Sequence, residues 1–294
     1  MKKIVRLVAV LLCICMLFTS CAPAGQSVDS SENTVNSQKV ENLEKLCKVW
    51  GYTKYNHPAF LFGEKDWDEE LLNLIPVVSE AKSDEVNDIL NEWFVSLGEI
   101  DYGTSRPGSK PIESEAVVQA DTNWILDEAY LGEALSADMQ KMGPVPKIDR
   151  SKAPVKFSTR QGVPNFKIEN TDTGCSYQTE EERLLGLFRV WNAIEYYFPY
   201  LDIMDERWHD LLNEFIPKIL EASDVQSFEL TICEMTAHLH YVHVRFINSQ
   251  PLKAVVGEYL APVNMLRTEE GQWVVSDLRG DCPLQAGVVI LKLD

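Results

Sequence analysis

Apolar residues recur at three-to-four-residue intervals over two long stretches of the chain, and at two-residue intervals only near its end. From Leu184 through Leu187, Phe188, Trp191 and Ile194 the spacing predicts a helix that Pro199 stops. A second helix is predicted from Trp208 to Leu220, and a third from about Val225 to Leu239. Sliding the chain by 141 residues reproduces the pattern. Leu43, Leu46, Val49, Trp50, Tyr55, Pro58, Trp67, Leu71, Ile75, Pro76, Glu80 and Ala81 then meet Leu184, Leu187, Val190, Trp191, Tyr196, Pro199, Trp208, Leu212, Ile216, Pro217, Glu221 and Ala222. Twelve identities over 39 ungapped positions, two of them tryptophans, mean that one supersecondary unit occurs twice. The aromatic positions in both copies read as core packing.

The helical units are expected over residues 40–145 and 179–250, joined over 146–178 by an irregular linker that carries much of the proline. After Pro251 the pattern changes to period two and to β-branched residues: "GEYLAPVNML", a turn at "TEEGQ", then "WVVSDL", and a closing apolar strand from Val288 to Leu293. The expected fold class is mainly α, a duplicated helical unit, followed over 251–294 by a partial β-rich segment.

The first residues stand outside this pattern. Lys2, Lys3 and Arg6 precede an apolar run from Val8 to Phe18, which ends in Thr19-Ser20-Cys21. That is a secretory signal over residues 1–20, too short and wrongly flanked for a spanning helix. Its ending, "LFTSC", resembles a bacterial lipobox, which implies lipidation of Cys21 and anchoring to a membrane through acyl chains. Residues 21–39 are small and polar, the composition of a flexible tether.

Removing residues 1–20 takes three of the 27 Lys and Arg and none of the 45 Asp and Glu, so 24 against 45 leaves a formal charge of −21. Such a surface repels phosphate backbones, which excludes nucleic acid as a partner. Four cysteines remain after Cys21: Cys47, Cys175, Cys233 and Cys282. Their scattered spacing indicates neither a zinc ribbon nor a redox motif, and leaves the pairing of any disulfide open.

Three of the five histidines fall in "HLHYVH", His238 to His243. On a helix His238 and His240 lie about 200° apart and share no face. On a strand His243 points away from the other two, and no carboxylate within the motif completes a metal set. The residues themselves favour a structural reading, with His238 and His240 finishing a helix near its orphan carbonyls and His243 starting an exit strand, "VHVRF". Neither a metal nor a cofactor is expected.

Taken together, "RLLGLFRVWNAIEYYFPY", the tryptophan that precedes "IP" and "EA", the histidine-bearing helix end, "YLAPV" and "AGVVILKLD" resemble the region before the catalytic domain in bacterial C-terminal-processing and tricorn-core-like serine peptidases. The resemblance is best from Arg183 to Asp294. It implies that residues 251–294 are the incomplete start of a PDZ-like domain and that the ligand is an extracytoplasmic polypeptide, captured by strand addition. It also places His243 at the position of a histidine that serves the nucleophile in related peptidases, with Tyr241 where an acidic or small residue is usual. His243 is therefore a candidate catalytic base only in a longer product. Ser249 and Ser276 lie in no activating motif, so this chain is expected to be inactive alone. The alternative is a self-sufficient envelope lipoprotein that binds a peptide or polysaccharide in a groove between the helical repeats.

Overall fold

The computed structural model describes residues 30–103, 120–158, 162–166, 176–247, 249–257 and 261–292, with side chains from residue 37 onward. The expected signal peptide, Cys21 and Cys175 lie outside the described residues. The first unit consists of α1 (Ser30–Asn56), α2 (Pro58–Leu61), α3 (Trp67–Glu80) and α4 (Val86–Ser96). A 3-10 turn at Asn123–Leu126, α5 (Glu128–Leu131) and α6 (Glu133–Met139) follow. The linker holds a minimal antiparallel pair, β1 (Lys156–Phe157) and β2 (Pro164–Asn165).

The second unit consists of α7 (Glu180–Tyr197), 3-10 turns at Leu201–Ile203 and Trp208–Asp210, α8 (Leu211–Glu221) and α9 (Val225–Ala237). After it come α10 (Gln250–Val256) and an antiparallel meander of β3 (Val263–Arg267), β4 (Trp273–Leu278) and β5 (Val289–Ile290).

The repeat is reproduced at the level of single bonds. Trp50 Nε1 donates to the Trp67 carbonyl at 2.8 Å, and Trp191 Nε1 to the Trp208 carbonyl at 3.3 Å. Helices α4 and α9 match when the shift is 142: buried Val86, Leu90, Trp93, Phe94 and Leu97 correspond to buried Phe228, Ile232, Met235, Thr236 and Leu239. At the next position both chains turn left-handed. Gly98 does so at φ 98° and His240 at φ 47°.

The two units share one core. A single buried cluster contains Leu43, Trp50 and Leu71 together with Leu187, Trp191 and Phe215. Helix α1 packs on α8 of the other unit as α7 packs on α3, and α1 lies beside α7 with equivalent positions facing each other. Lys39 Nζ meets Glu180 at 2.7 Å, and the rings of Tyr55 and Tyr196 stand 5.8 Å apart. Each of these pairs is separated by 141 residues. Such self-facing contact marks an approximate two-fold axis between parallel α1 and α7.

Nearest that axis, Gly51 meets its own equivalent, Asn192. A Cβ on Gly51 would lie 1.8 Å from Asn192 Oδ1. Glycine in a helix costs roughly 1 kcal/mol, and here it is what lets the helices close up. The buried Asn192 Nδ2 reaches the carbonyls of Cys47 and Phe188, again an equivalent pair, at 3.1 and 2.9 Å.

Three expectations are corrected. Helix α1 begins at Ser30, inside the stretch read as a tether, because a helix nucleated by the buried run after Val40 extends at little cost through polar residues. Residues 241–247 are irregular, with a turn at 242–243, rather than the exit strand, since no described strand offers them a ladder. Residues 250–256 are helical rather than period-two strand. The Ser249 hydroxyl caps the Leu252 amide at 3.0 Å and Pro251 occupies the first turn.

Candidate functional site

The helix end that bears the histidines does not bring its three rings together. His238 is the C-cap of α9, with Nδ1 on the Glu206 carboxylate and its ring edge-on to Phe215 at 5.7 Å. His240 is exposed on the left-handed turn. His243 is exposed too, 5.1 Å from the Tyr241 ring. Among the described residues no three His, Cys, Asp or Glu side chains converge as metal ligands.

Among the described residues the contact of His243 is with the Tyr241 ring, and neither serine that the sequence singled out pairs with it. Ser249 is committed as a cap, and its hydroxyl also donates to Glu229, while Ser276 is exposed on β4. Among the described cysteines Cys47, Cys233 and Cys282 are free. Burial pushes the Cys47 thiol well above its usual range, which keeps it protonated and unreactive.

The histidine with the most perturbed pKa, His57, lies outside the histidine-rich helix end. It is fully buried at the end of α1, where its Nδ1 accepts the Ala59 amide at 3.2 Å. Desolvation lowers its pKa to about 4, so the ring is neutral and works as an N-cap for α2. The legible hint was its position directly before Pro58.

Two clefts open on the second unit. One, of about 340 Å³, adjoins the histidines and is lined by Phe198, Tyr200, Ile203, Met204, Leu239 and Tyr241, with Asp205 and His240 at its polar side. Phe198, Tyr200 and Tyr241 form a mutually contacting ring cluster with centroids 5.4 to 5.8 Å apart. The other, of about 510 Å³, lies between α7 and α9. Its walls include Val190, Ala193, Phe228, Ile232, Phe246 and Ile247, and its charges are already engaged. Arg189 forms a two-point pair with Asp68 of the first unit, and Glu229 accepts from Ser249.

The meander that follows is apolar yet thinly covered. Val275 alone of its strand residues is buried, whereas Met265, Leu266 and Trp273 are 37%, 50% and 50% exposed. Strand β3 pairs with β4 on one side, and no described strand pairs with its other edge. No described helix is long and apolar enough to cross a membrane. No protein-family model matches the chain, and no curated protein or solved structure is significantly similar to it.

Proposed function

We propose that this chain is a non-catalytic, polypeptide-handling portion of a cell-envelope serine peptidase of the C-terminal-processing or tricorn-core-like kind, tethered through a lipidated Cys21. The β3 edge that no described strand pairs carries the reading. It lies beside the exposed Met265 and Leu266 side chains, which suits adding an extended chain as a further strand. The order of a duplicated helical unit followed by a small antiparallel sheet supports the same reading.

The test uses fluorescein-labelled β-casein, an unfolded polypeptide, with the purified chain from residue 22. Anisotropy should rise on binding, no acid-soluble fluorescence should be released, and Leu266→Asp should weaken binding by about ten-fold. Cleavage by the chain, or binding that ignores Leu266→Asp, contradicts the proposal. The peptidase half is read separately: an antibody against the helical units should detect, in detergent-extracted envelopes, a native product well above the mass of these 294 residues.

The ring cluster of Phe198, Tyr200 and Tyr241 favours a second reading, a self-sufficient lipoprotein that binds a peptide or a polysaccharide against its exposed aromatic faces. A native product no larger than this chain, together with saccharide binding lost in Tyr241→Ala, would select it.

A further inference from the structure

The rings of the smaller cleft are departures from the internal repeat. The counterparts of Phe198 and Tyr200 at the 141-residue shift are His57 and Ala59, and that of Tyr241, at the 142-residue shift that matches α4 with α9, is Glu99. The first unit therefore folds with an alanine and a glutamate where the second has two tyrosines. Core packing does not account for these tyrosines, which are 45% and 38% exposed.

The surroundings differ in the same sense. All four residues of α2 are buried, and Leu61 packs against Val145 and Ala153. The corresponding run of the second unit has Asp202 in place of Leu61, and both Tyr200 and Asp202 are exposed. Every residue that lines the cleft falls in the unbroken described stretch 176–247. His240, on its wall, holds a φ of 47° where the first unit has Gly98. A residue other than glycine costs energy in that conformation, and here it brings an imidazole to the cleft.

The cleft also holds an unspent charge. Asp205 is the one acidic residue of its wall, and among the described residues its carboxylate has neither a hydrogen bond nor an ion pair. The next carboxylate, Glu206, is taken by His238, and Arg207 turns to Asp210 at 3.7 Å. With centroids 5.4 to 5.8 Å apart the three rings leave no room between them, so they form one continuous wall against which a ligand lies.

We propose that this cleft binds a quaternary ammonium ion, its methyl groups against Tyr200 and Tyr241 and its charge answered by Asp205. Aromatic faces attract cations, and a weakly hydrated one gives up its water more readily than a primary ammonium does. The formal charge of −21 left after residues 1–20 are removed draws such an ion in and repels one that carries its own phosphate, so the ligand is a free quaternary ammonium rather than a phosphocholine headgroup. The assignment rests on neither functional reading above. It gives the cleft a ligand class other than the peptide or polysaccharide of the second reading.

The probes are choline and its neutral isostere dimethylbutanol, in which a tert-butyl group replaces the trimethylammonium. Each is titrated into the purified chain from residue 22, and saturation transfer to its methyl signal reads binding. Choline should bind about ten-fold more tightly than the isostere. Asp205→Asn should remove that advantage and leave the isostere unaffected, whereas Tyr241→Ala should weaken both by several-fold. Both changes are at exposed positions, and unaltered urea midpoints show that the fold is kept. Phosphocholine should bind several-fold more weakly than choline. No binding of choline, equal binding of choline and isostere, indifference to Asp205→Asn, or phosphocholine binding as tightly as choline overturns the inference. A saccharide that binds through Tyr241 while choline does not sinks this inference and leaves the second reading standing; choline binding as described, with no saccharide bound, does the reverse.

Discussion

The two helical units are the same structure at two levels of completion. Each places a tryptophan indole on the backbone of a second tryptophan seventeen residues on, and each ends its last helix in a left-handed turn. The first unit then receives residues 123–139 on the face between its first and last helices, whereas the described residues on the equivalent face of the second are the exposed α10 and the Tyr177 ring, stacked on Phe228 at 4.7 Å. Duplication therefore accounts for the shared core, and the departures from it lie in what each unit packs on that face.

The sharpest way to break the equivalence is at the tryptophans. Trp50→Ala and Trp191→Ala should each cost about 3–5 kcal/mol by urea unfolding, and both should shift one common transition, since the units share a single core. Two separate transitions would show that each unit folds independently.

Next in size is a response to pH that belongs to the first unit alone. His57 has a folded pKa near 4 against about 6.5 when unfolded, so the unfolded chain binds more protons between these values. Stability is full above pH 6.5 and falls by roughly 2–4 kcal/mol as the pH drops toward 4. The second unit has Phe198 at the equivalent position and contributes no such slope. His57→Asn, which keeps a capping side chain, should flatten the slope in chemical denaturation series across that pH range.

The covering segment offers a contrast of similar size. Leu135→Ala should cost about 2–4 kcal/mol, while Val256→Ala, on the exposed α10, should stay within about 0.5 kcal/mol. Gly51→Ala drives a methyl into Asn192 and should cost about 1–3 kcal/mol. Adding Asn192→Ala makes room for it, so a double-mutant cycle should show strong coupling rather than additivity. The smallest effect lies at the matched left-handed turns. His240→Gly should stabilise by up to about 1 kcal/mol, and Gly98→Ala should destabilise by a similar amount.

Much of this comparison was readable from residue spacing, because Trp, Leu and Pro positions that build a core recur at a fixed interval. The helices of both units followed from it to within a few residues. Polar Ser30 to Lys39 concealed the start of α1, since an extending helix needs no apolar stripe of its own. The alternation in "VHVRF" looked like a strand, but alternation says nothing about whether a neighbouring strand exists to pair with. Ser249 followed by Pro251 was a legible helix start that the β-branched residues after it masked. The clefts were beyond reach because they depend on what fails to cover a face, and Gly51 and Asn192 acquire meaning only once the two first helices are seen side by side. His243 was singled out for its company in the sequence, and the fold turns it toward Tyr241 and solvent.

Hydrogen exchange of the unliganded chain compares the two faces directly. With the buried α6 packed on α4, and the exposed α10 and the Tyr177 ring described on the equivalent face of α9, amides of α4 should exchange at least about ten-fold more slowly than those of α9. Equal protection of the two helices, or slower exchange in α9, would mean that the second unit is as fully covered as the first and would contradict the reading of the two units as unequally completed.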